Sequence, residues 1–401
     1  MSTNDKPTIL IVGAGLGGLF LGALLEKANI PYSIFERATV VKPLGSAMTV
    51  GPALLPIFQQ LGIYDDLVDI GKYMTHVEAF KESLQPYRPV DWRPFEELAG
   101  YGQYIVTRPK LHELFLKQIP PHKIHFGKCV QTISENKDSV TILTTDSNIY
   151  EGDIVVGADG AYSAVLGGVH NSTVISSIYG IPSLTTSNEQ GSRKTRRQDG
   201  DDASWDASPA QTMCDETRNF QIPIDIDGRK MTMGDLYDLT PKEFISKVGL
   251  EEKVFETWHH GRTVLLGDAC HKLHPNGGQG AVTAIHDAIA LANILYAMPS
   301  KSLPDFANAF EEYRSERYPT AKEAFENSQL MSKITDRSFI GSVIFYLYTN
   351  MPMWLWRMML VKLVRFRPQA GFLEALEMKG SVVPAPSPSE ERARALFERW
   401  Q

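Results

Sequence analysis

A chain of 401 residues with 43% apolar and 22% charged side chains is long enough for two or three domains and can build a sizeable core. Its formal net charge of -7 argues against nucleic-acid binding, which rests on a basic excess. The three cysteines, Cys129, Cys214 and Cys270, are too few and too far apart for a disulfide framework and fit a reducing, intracellular compartment.

The N-terminal run TILIVGAG lacks a basic flank and reads as a buried strand, not a signal peptide. Thr8 to Val12 forms that strand, Leu16 to Asn29 a helix, and Tyr32 to Phe35 a second strand ending on Glu36. The βαβ unit predicts a doubly wound parallel sheet. Its turn, Gly13-Ala14-Gly15-Leu16-Gly17-Gly18, carries three spaced glycines. Gly13 permits the tight turn, Gly15 lets a pyrophosphate approach the backbone, and Gly18 lets helix and strand pack closely. The helix N-terminus then offers unpaired N–H groups to the anion. Glu36 stands where an acid accepts hydrogen bonds from ribose hydroxyls and repels a 2′-phosphate.

Further along, residues 51–71 and 109–119 read as helical, with strand-like pieces at Thr75–Phe80 and Tyr101–Thr107. Residues 139–144 and 148–156 read as two strands leading into GADGAYS. The polar, charge-mixed stretch 186–210 reads as a loosely packed or disordered loop. A strand at 219–226 and a helix from about Pro241 to Thr257 follow. Then comes RTVLLGDACHKLHPNGGQG, a strand ending in Gly-Asp, with a helix from Gly278 to about Ala297 and another over 304–333.

Near the C-terminus, Phe339 to Trp356 is eighteen residues without a charge, followed by Arg357, Lys362, Arg365 and Arg367. Asn350 and Pro352 interrupt it, which argues against a continuous span. Two readings stay open: a pair of helices packed on the main domain, or an interfacial anchor whose cations meet anionic lipid over residues 339–367. The tail reads as a Pro-rich linker ending in a short exposed helix.

Residues 153–163 (DIVVGADGAYS) and 262–287, together with Arg108 in TRPKLHELF, resemble fingerprints of the flavoprotein monooxygenases of the aromatic-hydroxylase type. Within that family the likeness is strongest to fungal FAD-dependent epoxidases and hydroxylases of terpenoid and meroterpenoid pathways. The resemblance implies an α/β fold: a Rossmann-like FAD-binding domain, a reduced α+β substrate domain and a helical C-terminal region. It implies FAD bound by Gly13, Gly15, Gly18, Glu36, Thr49, Arg108, Asp159, Gly160, Asp268, Gly280 and Ala281. Asp268 would accept from a ribityl hydroxyl, the Gly280 and Ala281 N–H groups would face the flavin edge, and Gly45–Thr49 would run beside the ring. NADPH or NADH would be a transient reductant, O2 the oxygen source, and an apolar small molecule the substrate. The expected location is intracellular, either cytoplasmic or on the cytoplasmic face of a membrane.

The implied organisation is residues 1–165 and 259–335 as the two parts of the FAD-binding domain, 166–258 as a shortened substrate domain, and 336–401 as apolar helices and tail. The family's arginine after its D-G motif is Leu166 here. The interval from Ser163 to Arg262 also leaves too few strands for the family's full substrate sheet. Besides oxygen insertion, a flavin oxidase or reductase and a catalytically silent FAD-binding remnant therefore remain as alternatives. Cys270-His271-x-x-His274 lacks the second half of a zinc site and an evident acid to orient a Cys–His nucleophile. No metal site is expected and no catalytic acid or base is assigned. Asp287 reads as structural.

Overall fold

The computed structural model describes residues 6–40, 45–81, 83–163, 165, 208–242, 245, 251–334 and 339–400. In chain order, β1 (Ile9–Val12), α1 (Leu16–Lys27) and β2 (Tyr32–Glu36) form the opening βαβ unit. Next come β3 (Ala47–Val50), α2 (Pro94–Ala99), β4 (Tyr104–Thr107), α3 (Arg108–Leu116) and β5 (Ile124–Phe126), with two short helices, Leu55–Leu61 and Tyr64–Ile70, between β3 and α2. An antiparallel meander of β6 (Val130–Glu135), β7 (Val140–Thr144) and β8 (Ile149–Gly152) leads into β9 (Ile154–Gly157). A hairpin, β10 (Gln221–Ile226) and β11 (Arg229–Thr232), precedes β12 (His259–His260) and β13 (Thr263–Leu265). The chain then turns helical: α4 (Gly280–Tyr296), α5 (Leu303–Ile334), α6 (Phe339–Thr349), α7 (Met353–Arg365) and α8 (Pro388–Glu398).

The central six-stranded sheet has the order β12-β13-β9-β1-β2-β5. β1 pairs in parallel with β9 on one side and β2 on the other, so all four of its residues are buried. That explains an unbroken apolar run where a half-exposed strand would alternate. With sequence neighbours on one side of β1 and distant ones on the other, the crevice beyond its C-terminal end is the switch point at which sheets of this type bind ligands. α1 is buried from Leu16 to Leu25 because β1, β2, α3 and α4 cover it together, and α4 from Thr283 to Tyr296 because it lies among α1, α5 and α8. Gly17 makes their crossing close: a Cβ there would lie 2.6 Å from Leu266 Cδ2 and 3.4 Å from Ala284 Cβ.

Three local expectations are corrected. Residues 148–156 form two strands, not one, because the Asp153 N–H donates to Thr8 O while its carboxylate accepts the Thr8 N–H, turning the chain from meander into parallel sheet. Residues 251–257 are not helical: Lys253–Val254 pairs antiparallel with His271–Lys272, and Lys272 Nζ binds Glu251 at 2.8 Å. The helix α8 is docked, not exposed. Ser389 donates to both Glu316 carboxylate oxygens at 2.9 Å through its N–H and hydroxyl, and Glu390 accepts the Gln369 N–H. The expected loop at 186–210 lies outside the described residues up to 207, and a helix not anticipated from sequence runs from Ser208 to Thr217.

The uncharged C-terminal stretch is two helices, broken at Asn350–Pro352 as its composition suggested. α7 buries Trp356, Leu360 and Val364 against Phe95, Leu98 and Ala99 of α2. Trp356 Nε1 donates to Asp91 O at 2.8 Å, and Arg367 donates to Ala99 O at 2.9 Å. None of the helices among the described residues is long and apolar enough to cross a membrane.

Candidate functional site: a dinucleotide crevice with a charged floor

The three glycines of the β1–α1 turn meet different neighbours. Gly13 has φ +107°, and a Cβ on it would lie 2.5 Å from Ala158 O. A Cβ on Gly18 would lie 2.1 Å from Gly13 O. Both are demanded by the protein's own backbone. Gly15 is not: a Cβ there would meet nothing nearer than Ala158 O at 4.0 Å, and its φ of -71° suits any residue. The space over Gly15 opens at the N-terminus of a twelve-residue helix with no side-chain cap, so N–H groups face it unclaimed. A pyrophosphate fits that cradle in shape and in charge.

Around this turn the structure gathers most of the residues picked from sequence. Glu36, at the end of β2, accepts the Ala14 N–H and the Ala38 N–H, each at 2.9 Å, which holds its carboxylate beside the glycine turn. Asp159 is adjacent, since the Gly13 Cβ position falls 2.8 Å from Asp159 Cα. Its carboxylate accepts the Ser163 hydroxyl at 2.6 Å and the Val165 N–H at 3.1 Å, closing the GADGAYS turn. Gly160 has φ +81° with open space at its Cβ position. Arg108 opens α3 and packs its Cδ 2.9 Å from the Cβ position of Gly45. Thr49 lies half-buried on β3 opposite Ile105 of β4.

Asp268 lies in the turn after β13, its Oδ1 3.8 Å from the Cβ position of Gly280 at the start of α4. Its surface is open to solvent within the crevice, yet the surrounding protein removes enough water to raise its pKa. His271, Arg108 and Lys272 pull in the opposite direction. The two permanent cations among them, Arg108 and Lys272, therefore share the field of this carboxylate. Gly280 and Ala281 form the first turn of α4, whose N-terminus also lacks a side-chain cap.

Sequence reasoning missed three features. His112 donates from Nε2 to Ala14 O at 2.7 Å, tying α3 to the glycine turn. Burial, first of all, lowers its pKa. Its place four residues after Arg108, on the same helix face, was the available signal. Gly17, described above, was the second. The third is the acid that orients His271: Asp287 Oδ2 accepts from His271 Nε2 at 2.5 Å and from the Gly267 N–H at 3.2 Å. Its other oxygen accepts from Arg317 Nε at 2.8 Å. All three side chains are buried. Despite the burial, His271 and Arg317 hold the Asp287 carboxyl down at about 2.

Cys270, His271 and Asp287 thus present ligand atoms within 4.8 Å of one another. They do not make a good cation site. Asp287 is already committed to a guanidinium, and burial with two nearby carboxylates pushes the Cys270 thiol well up, so the thiolate that a metal or an electrophile needs is disfavoured. The cluster is a floor. It pins the Gly267 turn (φ +64°) to α4 and so sets where Asp268 and Gly280 stand.

Comparison with known proteins agrees with this geometry. Residues 6–198 and 230–328 match the family described as FAD binding domain. The FAD-dependent monooxygenase ausM of Penicillium brasilianum is 28% identical over 405 residues, covering 85% of this chain and 83% of that protein. The FAD-dependent monooxygenase paxM of Penicillium paxilli is 28% identical over 391 residues, covering 83% and 80%. Among solved structures, Klebsiella pneumoniae HpxO complexed with FAD and uric acid superposes with a TM-score of 0.66 at 19% identity, over 88% of this chain and 95% of its own. The chain belongs to the FAD-binding-domain family and is an FAD-dependent monooxygenase.

Proposed function

We propose that this enzyme hydroxylates or epoxidises an apolar, ring-bearing secondary metabolite, with NADPH or NADH as transient reductant. The observation that carries the reading is the open cradle at Gly15, where the protein itself makes no demand for a glycine and two uncapped helix N-termini stand beside a pair of acids. FAD, when bound, supplies hydride acceptance from the nicotinamide and activation of dioxygen. This chain's residues do the rest. Gly13, Gly15 and Gly18 admit the pyrophosphate to the N-terminus of α1, and Glu36 accepts from ribose hydroxyls. Asp268 accepts from the ribityl chain, and the Gly280 and Ala281 N–H groups meet the electron-rich ring edge. Asp159 and Gly160 line the nucleotide path. Arg108 balances negative charge near Asp268, and Thr49 belongs to the strand running beside the ring. Residues 1–165 and 259–335 form the two parts of this binding domain.

Residues 166–258 are a shortened substrate domain. The alignment with the P. brasilianum relative spans 405 positions while using only 85% of this 401-residue chain, so tens of that protein's positions lack a counterpart here. The family match also breaks between residues 198 and 230. A thin cover over the flavin favours a second reading: reducing equivalents escape to dioxygen as hydrogen peroxide instead of entering product, because water is less fully excluded. A membrane surface is a further partner, met through residues 339–367.

Absorbance of the purified protein from about 300 to 600 nm, before and after anaerobic NADPH, tests the first reading. Flavin bands that bleach with NADPH, followed by oxygenated product from a polycyclic terpenoid in air, are the expected result. Peroxide equal to the NADPH consumed, with every candidate substrate, selects the second. Absence of flavin bands after incubation with FAD overturns both.

A further inference from the structure

The surface of α6 and α7 is unlike the rest of the molecule. On α6, Val343, Tyr346 and Leu347 recur at helical spacing on one exposed stripe, with Tyr346 65% and Leu347 63% exposed. Across the Asn350–Pro352 break, Trp354 is 69% exposed, Met358 continues the apolar surface one turn along α7, and Leu363 is exposed near its end. These are large side chains crowded into twenty-one residues, where a monomer ordinarily scatters its exposed apolar groups singly. The opposite side of α7 is fixed: Trp356, Leu360 and Val364 are packed on α2, and Phe366 sits edge-on to His286 of α4 with the Arg317 guanidinium 5.7 Å from its ring. The exposed face is thus a built part of the domain.

Charge gives the occupant. In a chain of net charge -7, residues 339–373 contain no Asp or Glu and carry Arg357, Lys362, Arg365 and Arg367. Arg357 is paired with Glu97, Lys362 with Glu323 at 2.9 Å, and Arg367 is buried on backbone carbonyls. Arg365, exposed in the last turn of α7, has no ion-pair partner among the described residues. Apolar and aromatic side chains on one face with cations toward one end suit the boundary between acyl chains and anionic headgroups. Length sets the geometry. Helices of 11 and 13 residues extend roughly 16 and 20 Å, well short of a hydrocarbon core of about 30 Å.

We propose that the α6–α7 face docks in the plane of an anionic bilayer, with Tyr346, Leu347, Trp354 and Met358 entering the interface and Arg365 meeting headgroup phosphate. This deepens the membrane reading above and rests on it. The test is co-sedimentation of the full FAD-loaded chain with phosphatidylcholine vesicles, with and without phosphatidylserine, alongside gel filtration. The expected result is binding strengthened by phosphatidylserine and weakened by salt. Leu347→Glu combined with Trp354→Glu should reduce binding at least tenfold while the flavin spectrum and NADPH oxidation stay unchanged. Arg365→Glu should remove only the phosphatidylserine increment. The proposal is overturned if the chain stays in the supernatant, or if the double variant sediments as well as the parent. It is equally overturned if the chain is a dimer without vesicle affinity that the double variant dissociates, because the face then joins two copies. Vesicle binding and flavin reduction are separate readouts, so either reading can fail alone.

Discussion

The rim and the floor of the crevice solve the same problem in different ways. At the rim, the turn after β1 is shaped by absence: Gly13 and Gly18 lack side chains because backbone oxygens occupy the room, and Gly15 lacks one although the protein leaves the room free. At the floor, the turn after β13 is shaped by charge, with Asp287 gripping the Gly267 N–H, His271 and Arg317 out of water. A rim of this kind tolerates change where a ligand would sit and nowhere else. A floor of this kind tolerates almost none, because removing one partner of a buried ion pair strands the other.

The largest effect should therefore come from the floor. Asp287→Asn leaves Arg317 without a counter-charge and is expected to cost about 3 kcal/mol or more in unfolding free energy, read from urea melts of the apoprotein. A loss near zero would mean that the floor is not held by charge. Next is the acid response. Burial holds His286 down to about 3 from an ordinary 6.5, so the folded chain refuses a proton that the unfolded chain accepts. Stability attributable to this group is complete above pH 6.5 and declines as pH falls toward 3, by up to a few kcal/mol. Asp287, held low, adds its own loss only below its ordinary 3.8. His286→Gln retains a neutral donor for Ala53 O, which accepts from His286 Nε2 at 3.1 Å, and should flatten the upper part of that decline. An unchanged pH profile in the variant would remove His286 from the account.

At the rim the contrast is between two glycines. Gly18→Ala drives a methyl into Gly13 O and should impair folding, whereas Gly15→Ala should leave the melting temperature unchanged and weaken FAD at least tenfold, about 1.4 kcal/mol. FAD titration and thermal melts on the same preparations separate the two. Equal FAD affinity in Gly15→Ala and the parent would mean that the pyrophosphate does not approach there.

The rim was legible in sequence for the reason that makes it tolerant of ligand: its information is local. Gly13, Gly15, Gly18 and Glu36 fall within 24 residues, and strand, turn and helix each have their own period. The break of the uncharged C-terminal run at Asn350–Pro352 was equally local. The floor was not legible, because Arg317 lies 30 residues from Asp287 and 46 from His271, and an exposed-looking EEYRSER helix face gives no hint that its last arginine is buried. The helix expected from about 241 to 257 fails over its described end, 251–257, for the same reason. Residues 253–254 pair with a strand, 271–272, that a helical reading of the segment cannot supply. Docking of α8 also depends on Glu316, far away in sequence.

The smallest expected effect tests what kind of floor this is. Cys270, His271 and Asp287 lie as close as the ligands of a metal centre, and geometry alone would invite one. Charge opposes it: a divalent cation would have to displace the Arg317 guanidinium from the buried Asp287 carboxylate and draw a proton from a thiol held well above its ordinary value. A ligand that binds only the folded chain must raise its melting temperature with concentration. Zinc added to the purified protein, and chelator after it, should accordingly leave the melting temperature where it was. A rise that depends on zinc and disappears in Cys270→Ala would show that the cluster opens to metal, and the floor would then be a site in its own right.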